Sequence, residues 1–483
     1  MVWEDSRRVL YSEFQSAVKQ FDTFDLLREI ASQSARLKQF EGWDPAWSTI
    51  APWSLSAIAR EAILSSKTSR GKPLDNRRFV RLLNLLRQVD VIPNDGLKPI
   101  PFFMSLNYTQ FPYQISVKEE IARCMLVLLE TTINSPSKSA DEIAELLMAP
   151  LEDVAYSTFI LWALARSSNG MIHPDMIFNL YRESGNKLPP IESVLGTLRR
   201  LSSTLESARN DGMSVTPMSG GLQQFGYNPL SRTPFISMCD GWLCAPQSQF
   251  ILRTCSLEAI YYAGLKKWPS GDLSTELGHR VEAYIGRQLR HTGLLDVRPE
   301  FVTGVGTKSI DWIVVTPAAV LLIESKGARI PIEVRAGLDV AAQLVTDRLA
   351  IAYSQLNRTA DGVRAAAPLF NHIPNDRPIV GIIVTAEPVY MANAPEVRTL
   401  LPASAIPIAT VSTRDFEQLC AWDPDALGST LLAWVNHATF SGHDLFGALK
   451  EMGVRGSDRG NNLIDQAFQR YIGMEDPAGT VIG

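Results

Sequence analysis

Apolar residues recur every three to four positions from the start of the chain to about residue 210, as in "RRFVRLLNLLRQV" and "KEEIARCMLVLLE". That spacing puts them on one face of a helix and predicts an all-helical N-terminal region. Clusters of Gly, Pro, Ser and Asn at "SSKTSRGKPLDN", "VIPNDGLKPIP" and "TINSPSKSAD" mark loops between helices, and no repeat of fixed period is present. Around residues 209–233, "NDGMSVTPMSGGLQQFGYNPLSRTPF" loses the helical period and reads as a connector. Beyond it the pattern alternates. "SLEAIYYAGLKKW" and "TELGHRVEAYIGRQLRHTG" are helical, "VRPEFVTG", "SIDWIVVT" and "AVLLIESKG" are strand-like, and "AAQLVTDRLAIAYSQLNRTADGV" is helical. "RPIVGIIVTAE" and "IPIATVS" return to strand, and the chain ends in helices. A chain of 483 residues exceeds what one hydrophobic core usually organises. The expected division is a helical domain at 1–210, a connector and packing segment at 211–269, an α/β domain with a mixed sheet at 270–420, and a helical tail at 421–483.

The net charge of -5 and pI near 5.8 give no overall basic signature, so any nucleic-acid contact must come from a local patch. Five cysteines, Cys124, Cys239, Cys244, Cys255 and Cys420, lack the paired spacing of a zinc site and suit thiols of a reducing compartment. "MVWEDSRRVL" is no apolar leader, and runs such as "CMLVLLE" are too short to cross a bilayer. These features predict a cytoplasmic protein with no membrane partner.

Chemistry concentrates in "IDWIVVTPAAVLLIESK", residues 310–326. With "TPAA" as the turn, Thr316 faces Ala319, and each step outward pairs residues whose numbers add to the same total. Asp311 then lies opposite Glu324, and Lys326 projects on the same side as Glu324. Two facing carboxylates repel unless a divalent cation neutralises them, and magnesium or manganese suits such oxygen ligands. The metal ligands expected from this pairing are Asp311 and Glu324. Glu324 to Lys326 is the one place where a lysine has an acid two positions before it. The alternative is an ion pair at a strand end, since charges there also guard sheet edges.

These residues resemble the PD-(D/E)XK, or restriction-endonuclease-like, nuclease superfamily. The resemblance covers about residues 270–420, with Ile310 in place of the literal proline before Asp311. It implies a core of a helix, a strand hairpin, a second helix and a further strand. It also implies an acid on the first helix that completes the metal ligands (Glu282, between Gly278 and Gly286), an Asp on the second strand (Asp311) and a Glu-x-Lys on the third (Glu324, Lys326). A supporting polar residue on the second helix would be Gln343 or Gln355. Lys308 and Arg329 border the hairpin and are candidates for phosphate contact. "TGVGTKS" lacks the glycine spacing of a phosphate-binding loop. "SADEIAELLMAPLEDVAYSTFILWALARSS" fits either a helix-turn-helix or plain core helices.

The function expected from this is a magnesium-dependent endonuclease with Glu282, Asp311, Glu324 and Lys326 as its catalytic set. It would hydrolyse phosphodiester bonds of DNA in preference to RNA. The helical half would recognise the target or a protein partner, with a homo-oligomer as one form of partner. The "YNPLSRTPFI" connector with this core also looks like bacterial anti-phage or mobile-element defence proteins. The alternative is a nuclease-like domain that holds nucleic acid or a partner without cutting.

Overall fold

The computed structural model describes residues 8–37, 48, 50–68, 71–89, 99–134, 136–184, 188–215, 220–293, 296–304, 307–327, 341–454 and 460–472. Up to Met213 the described chain is mostly helix, from Tyr11–Val18 to Leu205–Met213, as the apolar spacing requires. The exceptions are two short strands, β1 (Met171–Ile172) and β2 (Ser202–Ser203), which join β3 (Phe235–Ser237) and β4 (Leu243–Cys244) in a four-stranded mixed sheet. Two residues are too few to leave a periodic signal, which is why these strands are invisible in the sequence.

The segment read as a connector is tied into the helices. Arg60 Nε donates to Tyr227 O at 2.7 Å and its Nη1 to Gln223 O at 2.9 Å, while Asn228 Nδ2 donates to Ser56 Oγ at 2.8 Å. Leu222, Phe225 and Leu230 are buried. Gly, Pro and Ser here shape an irregular but packed segment.

Downstream comes a five-stranded mixed sheet built from β5 (Val297–Pro299), β8 (Trp312–Val315), β9 (Val320–Lys326), β10 (Ile379–Thr385) and β11 (Ile408–Ser412). Its order is β11-β10-β9-β8-β5, antiparallel from β5 to β9 and parallel from β9 to β11. The expected strand "VRPEFVTG" is two elements, because β6 (Val302–Gly304) leaves the sheet to pair with β7 (Thr307–Lys308). The parallel step from β9 to β10 needs a crossover, which the helix Ala341–Arg364 supplies. β10 is buried on both faces and accordingly reads IVGIIVT without polar alternation.

Alternation along the strands decides which helix each face meets. Ile313, Val320 and Leu322 pack with Leu349, Ala352 and Leu356 of Ala341–Arg364. Trp312, Val314, Leu321 and Ile323 pack with Val281, Tyr284 and Ile285 of the helix Asp272–His291. The sheet is therefore sandwiched between these two helices. The second of those cores also takes Val117, Ile121, Leu161 and Leu198, so helices before residue 210 share apolar packing with the α/β elements. Helical spacing tells which face is buried, not against what.

By length and composition one described helical run, Ala140–Ser167, could cross a bilayer. It is two helices, Ala140–Leu147 and Leu151–Ser167, parted by Met148 at φ 56° and by Pro150. Ile143, Leu147, Val154 and Leu161 all enter the large core. Of the five cysteines, Cys239 is exposed and the other four are buried.

Candidate functional site

Thr316 N donates to Ala319 O at 3.0 Å, and Thr316 Oγ1 accepts from Ala319 N at 3.0 Å, closing the turn around Pro317. The pairs that follow are Val315 with Val320, Val314 with Leu321, Ile313 with Leu322 and Trp312 with Ile323. This is the register read from the sequence, and one further step sets Asp311 opposite Glu324. Residues directly opposite in an antiparallel pair share a face. Both therefore lie on the side of the sheet covered by Ala341–Arg364.

Asp311 precedes β8 and is 9% exposed. Its Oδ2 accepts from Ser325 N at 2.7 Å and from Ser325 Oγ, which fixes the carboxylate across the hairpin. Burial pushes the Asp311 carboxyl above its ordinary range, although both Ser325 hydrogen bonds favour the ionised form. Glu324 is 2% exposed. Lys326 Nζ donates to Glu324 Oε1 and, at 2.8 Å, to Gln355 Oε1 on the long helix. The other oxygen, Glu324 Oε2, is buried with no hydrogen-bond partner. Burial first, then the negative charge of Asp311, raises the Glu324 carboxyl to about 7. The Lys326 ammonium and the Asp311 backbone N–H act the other way, favouring the ionised form, but an oxygen that makes no hydrogen bond is costly to bury as a charge.

Glu282 approaches from the opposite face of the sheet. Its helix is seated on β8 by Gly286, where a Cβ would fall 2.1 Å from the Trp312 ring, and Trp312 Nε1 donates to Glu282 O at 3.2 Å. Gly278 lies against the end of β9, since a Cβ on Gly327 would reach Gly278 Cα at 2.8 Å. Gly286 and Gly327 thus allow close approach on either side of Glu282, whereas a Cβ on Gly278 itself would meet open space. The Glu282 carboxyl is raised to about 7 by burial and then by Asp311, Glu300 and Glu324. Its electrostatic partners are thus the two hairpin acids and the loop residue Glu300, opposed by Lys308.

Of the expected supporting residues, Gln355 reaches the site through Lys326. The Gln343 side chain and Arg329 lie outside the described residues. Lys308 is exposed and pairs with Glu300 at 2.7 Å. Two contributors were missed. Ser325 is the middle residue of "ESK", where no spacing rule weights it, and Glu300 sits in a loop whose proximity to Glu282 is a tertiary fact. Among the described residues no three His, Cys, Asp or Glu side chains form a preassembled metal cage.

Comparison with known protein families, with curated proteins and with solved structures finds no match to the chain.

Proposed function

We propose that the chain is a metal-dependent nuclease of restriction-endonuclease-like fold that hydrolyses phosphodiester bonds of nucleic acid, with DNA preferred to RNA. The observation that carries this reading is the buried, partnerless Glu324 Oε2 beside Asp311, with a lysine fixed two residues along. The element order supports it as well: helix with an acid, strand, strand with Asp311 at its head, strand with Glu-x-Lys, crossover helix, parallel strand.

The donor set fits a divalent cation. Magnesium is commonly held by one or two carboxylates, with water and substrate phosphate filling the remaining positions. Asp311 and Glu324 would be its ligands, with Glu282 able to complete the set. Bound there, magnesium or manganese supplies Lewis-acid polarisation of the phosphodiester and lowers the pKa of a water nucleophile. Ser325 orients Asp311, and Gln355 holds the Lys326 ammonium at the mouth of the acidic pair. Lys326 then faces negative charge that builds on the phosphoryl oxygens in the transition state. Cytoplasmic action, in defence against phage or mobile elements, and recognition of target or partner by the helical half belong to the same proposal.

A second reading has one observation in its favour. Lys326 already neutralises Glu324, and carboxyls raised toward 7 can stay protonated, so the cluster is also compatible with a domain that binds without cutting.

The test is incubation of the full chain and of its Lys326→Ala and Asp311→Asn variants with linear, supercoiled and single-stranded DNA and with RNA. Each is run in magnesium, in manganese and in chelator. Lys326→Ala should lose on the order of a hundredfold in cleavage rate while still binding manganese. Asp311→Asn should lose both. Cleavage retained by both variants excludes this site as its source, and nucleic-acid binding by wild type with no manganese bound establishes the non-cutting reading.

A further inference from the structure

The helix Asn76–Arg87, NRRFVRLLNLLR, contains no acidic residue. Its apolar side is used internally, because Phe79, Leu82, Leu83 and Leu86 are buried with Phe14, Leu26 and Ile58. Arg77, Arg81 and Arg87 are exposed, as are Lys67 and Lys72 in the segment before it. Residues 67–89 carry seven Lys and Arg against a single acid, Asp75, in a chain whose net charge is -5. The basic charge is therefore concentrated and not part of a general excess.

Helix electrostatics do not explain it. Arg77 and Arg78 occupy the first turn, the positive end of the helix dipole, where acids are favoured and cations cost stability. Asp75 caps the helix by accepting from Arg78 N at 2.8 Å and pairs with Arg78 Nε at 3.5 Å. Among the described residues neither Arg77 nor Arg81 has an acidic partner. A solvated surface helix usually interleaves acids at four-residue spacing.

We infer that the exposed face of Asn76–Arg87 is a binding surface for the phosphate backbone of nucleic acid. Guanidinium groups pair bidentately with phosphate oxygens. Arg77 and Arg87 are separated by ten residues, a rise of about 15 Å, over which a duplex presents roughly nine phosphates. A membrane surface is the wrong partner, because an interfacial helix inserts its apolar face and this one has buried that face in its own core. The surface shares no residue with the candidate active site and extends the proposed function to how substrate is held.

Fluorescence anisotropy of labelled single-stranded DNA, duplex DNA and RNA with the full chain tests this, read in chelator across a salt series so that no cleavage intervenes. The Arg77→Gln/Arg81→Gln variant should keep the wild-type circular dichroism, bind about tenfold or more weakly, and show a log–log salt slope reduced by about 2. Arg77→Lys/Arg81→Lys should retain most of the slope, and Arg182→Gln/Arg199→Gln, exposed elsewhere, should match wild type. The inference is overturned by unchanged affinity and slope in the glutamine variant, by no nucleic-acid binding in the wild type, or by binding of polyglutamate that nucleic acid cannot displace. Binding is read in chelator and cleavage in metal, so failure of this surface and failure of the cleavage site read out separately.

Discussion

At the scale of single residues, Glu324 and Glu282 dominate, since each has its carboxyl raised from an ordinary value of 4.5 to about 7 with burial as the leading cause. A folded state that holds its protons to higher pH than the unfolded chain loses stability as pH rises between those two values. The folded protein should therefore be least penalised below about 4.5 and carry the full penalty above about 7. Glu324→Gln removes one of these groups, so it should melt higher than wild type at pH 8 and at the same temperature at pH 4.5. Manganese should close the gap at pH 8, because ionised carboxylates are what the cation binds. A melting advantage that does not vary with pH would show that Glu324 is not held protonated. The paired positions of this site were legible in the sequence because strand alternation and a symmetric turn fix register. Ser325 and Glu300 were not, since they act through a backbone amide and through a loop fold, neither of which leaves a spacing signature.

At the scale of elements, the candidate site depends on how closely the helix Asp272–His291 lies on β8 and β9. Gly286 permits that approach against the Trp312 ring, and Gly327 permits it where the end of β9 meets the helix backbone at Gly278. Gly286→Ala should force the indole or the helix to move, costing about 1–3 kcal/mol as overpacking of a filled core typically does. Because Trp312 adjoins Asp311, the shift should also weaken manganese binding, whereas Gly293→Ala at the end of the helix should not affect the metal. Chemical denaturation and manganese titration of both variants check this, and a Gly286→Ala protein of wild-type stability would mean the ring can move freely. The helices and the long strands were readable from periodicity. The strands of two residues, the separation of β6 and β7 from the sheet, and the packed nature of "GGLQQFGYNPLS" were not. Each of these is set by tertiary hydrogen bonds, such as those from Arg60 and Asn228, and not by local pattern.

At the scale of the whole molecule, one buried polar network joins segments far apart in sequence. Arg123 Nε and Nη2 each donate to the Glu417 carboxylate at 2.6 Å, Tyr284 Oη donates to Glu417 Oε1 at 2.7 Å, and Gln288 Nε2 donates to Tyr284 Oη at 2.6 Å. Asn461 Nδ2 closes it on Gln288 Oε1 and Glu417 O, both at 2.9 Å. Helix Val117–Leu129, the Glu282 helix, the helix Thr413–Cys420 and the C-terminal helix entry at Asn461 thus meet at one ion pair. Breaking a buried pair on one side leaves the other charge without compensation, which typically costs 3–5 kcal/mol. Arg123→Met should therefore destabilise the chain by about that amount. Arg123→Met combined with Glu417→Leu should recover part of the loss, because no charge is then stranded, while Tyr284 Oη still loses its acceptor. Denaturant midpoints of the two single variants and the double variant complete the cycle. Recovery in the double variant identifies the network as a coupled unit that ties the N-terminal helices to the helix carrying Glu282. Additive losses would mean that Arg123 and Glu417 contribute separately, and that the helix carrying Glu282 is held by its other contacts, such as Trp312 Nε1 to Glu282 O and Arg280 Nη1 to Thr131 O.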